Sequence, residues 1–162
     1  MEIKSTLTNK LGQTLRVIYK EADPLLDLGG KVLQGVHAYC FYKDKLVLVY
    51  SDKKGYWTPP GGGIEPGETY EEAVAREVKE ETNMKVLSQQ FIGYQDIYEG
   101  NRIIRQIRSF CRVEPFGDFT TDTDEDITKI ELINPEDYKK YFDWGQIGDR
   151  IMTKALKLNR WR

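Results

Sequence analysis

Residues 62–84 read GGIEPGETYEEAVAREVKEETNM, and this stretch decides how the chain is folded. Its second part carries a strong helix signature over Tyr70–Asn83. Thr69 is a good N-cap, and Glu72 three residues later completes a capping box. Val74 and Val78 supply a core-facing stripe with Ala75 beside them, and Asn83 suits the left-handed position that ends a helix. At 100° per residue, Glu77, Glu80 and Glu81 lie within an arc of about 100° on one helix face. Like charges at i, i+3 and i, i+4 repel, so the cluster needs something to offset it. A divalent cation does so directly, since convergent hard oxygen ligands suit Mg²⁺ or Mn²⁺. Arg76 is spaced to pair with Glu80 at i+4, or with Glu68, and to hold the cluster in shape.

Upstream, Gly61-Gly62-Gly63 lets the backbone approach a ligand closely and turn its carbonyls inward, where one of them can complete a metal's coordination sphere. Pro59-Pro60 and Pro66 stiffen this loop on both sides. The whole of Tyr56–Gly67 is dense in Gly and Pro and reads as irregular. Glycines combined with metal-bridged carboxylates suit a phosphate chain, and a metal-held water beside them suits hydrolysis of a phosphoanhydride.

Gly62, Glu68, Arg76, Glu77, Val78, Glu80, Glu81 and Met84 match eight of the nine specified positions of the Nudix box, G-x5-E-x7-R-E-U-x-E-E-x-G-U with U aliphatic. Asn83 stands in place of the final Gly; because Asn tolerates the left-handed conformation, a small stability cost and no loss of activity are expected. The lead-in Trp57-Thr58-Pro59-Pro60-Gly61 also resembles the family's. This resemblance implies an α/β fold, a Nudix-type α/β/α sandwich with a mixed sheet, over residues 34–162. Residues 1–33 would be an N-terminal β-hairpin extension, of the kind family members use to dimerise or to cover the site. It implies hydrolysis of nucleoside diphosphates linked to another moiety, using Mg²⁺ or Mn²⁺. Glu77, Glu80 and Glu81 would be the metal ligands, with the Gly61 carbonyl a fourth, and Arg76 and Glu68 would support the box. The general base is a box glutamate, Glu77 or Glu80, or an acid from a later loop, for which Glu125 is the candidate.

Outward from the box, the chain alternates strands and turns. Thr14–Tyr19 pairs back across an Asn9–Gly12 turn, and Val36–Tyr42 with Leu46–Tyr50 forms a second hairpin. Strands follow at Val86–Tyr94, Ile103–Val113 and Ile127–Ile133, and a helix at Gln146–Asn159 with Ile147, Ile151, Ala155 and Leu158 on one face. Strands mixed with two separated helices fit a sheet between helices.

Substrate contacts outside the box are sought among Gly62, Gly63, Arg102 and Tyr98. Tyr39, Phe116 and Trp144 are further aromatic candidates for stacking. Arg102 and Arg108 share a strand face and Arg105 takes the other. His37, the lone histidine, reads as a packing or surface residue. The stretch Glu99–Arg102 lacks the Pro typical of ADP-ribose hydrolases in the family, and Tyr98 comes early for a diadenosine-polyphosphate hydrolase. The reading that remains is a MutT-like (deoxy)nucleoside triphosphate pyrophosphatase. ADP-ribose or dinucleoside polyphosphate hydrolysis is the alternative, and a non-catalytic regulatory Nudix domain the reading from another class; the intact glutamates speak against the latter.

Composition bounds these expectations. The 162 residues carry a net charge of −2, which excludes the strongly basic profile of a nucleic-acid coat. No apolar run reaches membrane-spanning length and no signal peptide is visible, so a cytoplasmic protein is expected, with Cys40 and Cys111 as reduced core thiols. The expected partner is a small nucleotide, with no stable nucleic-acid complex, no membrane association and a homodimer as the candidate assembly. The near-neutral total hides a local pole: Glu65–Glu81 holds seven acids against two bases, and Asp118–Asp126 five acids against none.

Overall fold

The computed structural model describes residues 1–121 and 126–160. Two strands, β1 (Glu2–Thr8) and β2 (Thr14–Lys20), form the N-terminal hairpin. Its turn is held by Asn9, whose side-chain oxygen accepts from the backbone N–H groups of Leu11 and Gln13. The chain continues through β3 (Lys31–Tyr42), β4 (Lys45–Ser51), β5 (Tyr56–Thr58), β6 (Gly61–Gly63), α1 (Tyr70–Thr82), β7 (Met84–Glu99), β8 (Arg102–Pro115) and β9 (Ile127–Ile133). A 3₁₀ turn, Pro135–Lys140, leads to α2 (Gly145–Asn159).

The sheet runs in the order β1-β2-β7-β8-β3-β4-β5, with β6 paired to β3 and β9 to β4. Only the β3–β8 pairing is parallel, so the sheet is mixed. The hairpin is not a separate body, because β2 pairs with β7 from Arg16 opposite Tyr98 to Lys20 opposite Tyr94.

Strand alternation divides the core into two layers. Val36, Ala38, Cys40, Ile107, Cys111 and Val113 face α1, where Ala73, Val74 and Val78 complete one cluster. Tyr39, Phe41 and Phe110 face the opposite way and pack with Ile147, Ile151, Met152 and Ala155 of α2. A helix on each face of a mixed sheet is the expected α/β/α sandwich. Cys40 and Cys111 sit in register on neighbouring strands, both free and buried. No helix among the described residues is long and apolar enough to cross a membrane.

The segment expected to be irregular contains two short strands. Thr58 pairs with Val49 of β4, and Gly61, Gly62 and Gly63 pair with His37, Val36 and Gly35 of β3. Local composition disfavours strand here, but the edges of β3 and β4 supply the ladder partners. Strand β3 also starts at Lys31, earlier than periodicity indicates, through its parallel register with β8.

Candidate active site

Helix α1 is placed by its own ends. Thr69 and Glu72 form the reciprocal capping box, and Asn83 closes the helix in the left-handed conformation at φ 55°. Val74 and Val78 seat the helix on the sheet, which turns its carboxylate face toward β6. Gly62 is required by that approach, and Gly61 by the closeness of β3. A Cβ on Gly62 would lie 2.5 Å from the Glu77 carboxylate, and one on Gly61 2.2 Å from the Val36 carbonyl oxygen. Glu81 closes the same gap one turn further on, its Oε1 accepting from the Gly61 N–H at 2.8 Å.

Arg76 organises the acids. Its Nε and Nη2 grip both oxygens of Glu68 at 2.8 and 2.9 Å, Nη2 donates to the Gly63 carbonyl at 2.8 Å, and Nη1 donates to Glu77 at 2.9 Å and Glu80 at 3.4 Å. One planar guanidinium thus ties the strand-to-helix loop, β6 and the acidic face into one unit. The fork of Arg76, helped by the Glu65 backbone N–H, lowers the Glu68 carboxyl to about 2. Glu77 moves the other way: desolvation between α1 and β6 raises its carboxyl above the usual value despite Arg76. Two carboxylates on one arginine therefore differ in character, Glu68 as a fixed counter-charge and Glu77 as an acid whose charge is destabilised by burial.

Among the described residues, no three acidic or sulfur/imidazole side chains are already gathered as a metal cluster; Glu77 and Glu80 share Arg76 Nη1, and Glu81 accepts from the Gly61 N–H. The donor set still fits a hard divalent ion. Three carboxylates lie along one helix face, two of them packed against a glycine strand that a side chain would fill, and the desolvated Glu77 would gain from a cation.

The structure separates the remaining sequence candidates. Tyr98 lies on β7 with the Arg16 guanidinium 4.2 Å from its ring centroid, and Arg102 bonds Glu99 at 2.7 Å at the β7–β8 turn. His37, the β3 partner of Gly61, pairs with Arg108, and Arg102 lies six residues before Arg108, about 20 Å along the strand, so Arg102 and Tyr98, at the β7–β8 turn, lie away from β6. Arg105 is buried in an ion pair with Asp96 and donates to the carbonyls of Pro24 and Leu26. Phe116 sits near Lys79, its exposed ring 5.3 Å from the ammonium. Tyr39 is wholly buried. Glu125 lies outside the described residues.

What sequence reasoning undervalued is a cavity on the α2 side of the sheet, about 610 Å³, lined by His37, Arg108, Trp144, Tyr56 and Gln106 among others. His37 joins it to the box, being the register partner of Gly61, and its ring packs 5.3 Å from that of Trp144. Burial, then the charges of Arg108 and Lys54, hold His37 well below its usual pKa and therefore neutral. The available signal was the shared face of His37 and Tyr39 on β3 and of Gln106 and Arg108 on β8; their meeting depends on the β3–β8 register.

A family model described as the NUDIX domain matches residues 33–155. Among curated proteins, the chain is 33% identical over 72 residues to the uncharacterized Nudix hydrolase YvcI of Bacillus subtilis, covering 43% of this chain and 46% of that protein. It is 35% identical over 79 residues to YtkD of the same organism, a candidate 8-oxo-dGTP diphosphatase, covering 49% of each. The chain thus spans about half the length of these relatives. In fold it is similar to the B. subtilis pyrophosphohydrolase BsRppH, with a TM-score of 0.70 and 23% identity over 97% of this chain and 98% of that one. It is also similar to the MutT protein of Bacillus halodurans, with a TM-score of 0.57 and 23% identity over 76% and 82%.

Proposed function

The chain belongs to the Nudix family, and from that premise we propose that it is an Mg²⁺- or Mn²⁺-dependent pyrophosphohydrolase of MutT type, cleaving a phosphoanhydride bond in a (deoxy)nucleoside triphosphate. Nudix enzymes act on small nucleotide substrates and generally use divalent metal ions. The observation that carries the reading is the packing of Glu77 and Glu81 against the side-chain-free strand Gly61–Gly63, with Arg76 bracing both sides. The likeness to YtkD supports the triphosphate class.

Glu77, Glu80, Glu81 and the Gly61 carbonyl are the residues assigned to the metal, which when bound neutralises phosphate charge and lowers the pKa of a bound water. Gly62 and Gly63 leave room for the phosphate chain to lie against backbone. Arg76 fixes the carboxylates in place and keeps Glu68 ionised as its partner. The general base is assigned to the acidic set of Glu77, Glu80 and Glu125.

The test is a panel of nucleoside triphosphates, ADP-ribose and dinucleoside polyphosphates with each metal, read by product identity. Nucleoside monophosphate plus pyrophosphate from triphosphates is the expected result. Release of AMP from ADP-ribose alone would move the chain to the alternative class, and no turnover of any compound would contradict the enzyme reading.

A further inference from the structure

The cavity on the α2 side holds a cation that the box chemistry does not use. Arg108 is only 4% exposed, and among the described residues no carboxylate pairs with it. Its Nη1 donates to the Ile107 carbonyl at 3.2 Å and its Nη2 to Gln106 Oε1 at 3.0 Å, while the buried Nε–H has no partner. A buried guanidinium supported by two neutral acceptors is costly, and its spare N–H groups call for an acceptor from outside the chain. The buried Nδ1 of neighbouring His37 is likewise without a partner. Trp144 and Tyr56, 37% and 49% exposed, offer aromatic surface at the same cavity. Helix α2 starts there with no side-chain cap and no acid in its first turn. Asp143 is the acid on the lining, and its Oδ1 accepts from the Gly145 N–H.

A guanidinium donates only, so it reads an edge that carries two acceptors. Guanine offers O6 and N7 side by side, whereas adenine sets a donor N6 amine beside N7, and cytosine presents a donor amine. We propose that Arg108 is the specificity-determining residue of this chain and selects nucleotides with a guanine-type O6/N7 edge, the base lying against the aromatic surface of the cavity. The proposal rests on the reading of the box as a nucleotide hydrolase, since the phosphates must reach β6 while the base occupies the cavity beyond His37.

Binding of GMP, IMP, AMP and 7-deaza-GMP to the intact protein in chelator, followed by calorimetry, isolates base readout from hydrolysis. GMP and IMP should bind alike, because IMP keeps O6 and N7. AMP and 7-deaza-GMP should each bind about tenfold more weakly or worse, as for loss of one bidentate pair. In Arg108→Gln the GMP-to-AMP ratio should collapse toward unity, and Arg108→Lys, which keeps charge but not the fork, should restore little of it. Similar binding of all four compounds, including none by any, overturns the proposal, as does an unchanged ratio in folded Arg108→Gln. The wild-type comparison of the four compounds decides the matter even where a variant does not fold. A GMP preference without turnover of any nucleotide would overturn the enzyme reading and leave this one standing; turnover without base preference would do the reverse.

Discussion

Arg76 carries more of the site than any carboxylate it holds. Its five donors reach Glu68, Glu77, Glu80 and the Gly63 carbonyl, so its loss releases the loop and the acidic face together. Glu68 gives this a pH signature. Its carboxyl falls from an ordinary value of 4.5 to about 2 in the fold, so the stability it contributes is full above the first value and is lost as pH falls through the second. Glu68→Gln should therefore be less stable than the wild type near neutrality and converge with it at the acid end, as read by urea unfolding across pH. Glu77 has the opposite shift, because burial between α1 and β6 disfavours its charge. Gly62→Ala would drive a Cβ to 2.5 Å from that carboxylate. The shift of about 1 Å needed to relieve that contact should cost about 10²-fold in kcat, with near-normal circular dichroism.

At the scale of elements, α1 is legible from sequence because its signals are local. Thr69, Glu72 and Asn83 act within one or two turns of the residues they cap. Asn83 does more than tolerate φ 55°, since its Nδ2 donates to the Asp118 carbonyl at 2.8 Å and ties the acidic loop to the helix end. The family's Gly would relax the backbone but lose that tie, so Asn83→Gly should be near neutral. Asn83→Ala should cost about 1–2 kcal/mol, the penalty of a Cβ in the left-handed region, measured by the urea midpoint. The strands β5 and β6 were not legible, because a Gly-rich or Pro-bounded tripeptide becomes strand only when β3 and β4 present an edge to it. The same holds for the cavity. Arg102 and Arg108 share a face and look alike in sequence. Only the register that sets Arg108 beside His37, and leaves Arg102 at a turn with Glu99, tells them apart.

At the scale of the molecule, one sheet serves two faces. The α1 face carries the acids and the α2 face carries the cavity, and β3 crosses between them through alternate residues Val36 and His37. The N-terminal hairpin belongs to this sheet: Ile3, Leu15, Val17 and Tyr19 enter the α2-side core, and Ser5, Thr6 and Thr8 help line the cavity. Tyr19 is wholly buried and lies against Gly93, so Tyr19→Ala should cost about 3 kcal/mol or more, seen as a lowered urea midpoint. The charge pattern follows the same division, with a negative pole around the box in a chain that is otherwise net basic. A nucleotide's phosphates meet that pole comfortably only when cations stand between them.

The proposed function requires the α1 carboxylates facing β6 to make a metal-dependent hydrolytic centre. Steady-state turnover of a nucleoside triphosphate, titrated with Mg²⁺ and compared between wild type and Glu81→Gln, tests it most directly. Turnover should be absent in chelator, saturate with metal, and fall by orders of magnitude in a Glu81→Gln protein with unchanged circular dichroism. Equal turnover by the two proteins, or full turnover in chelator, would contradict it.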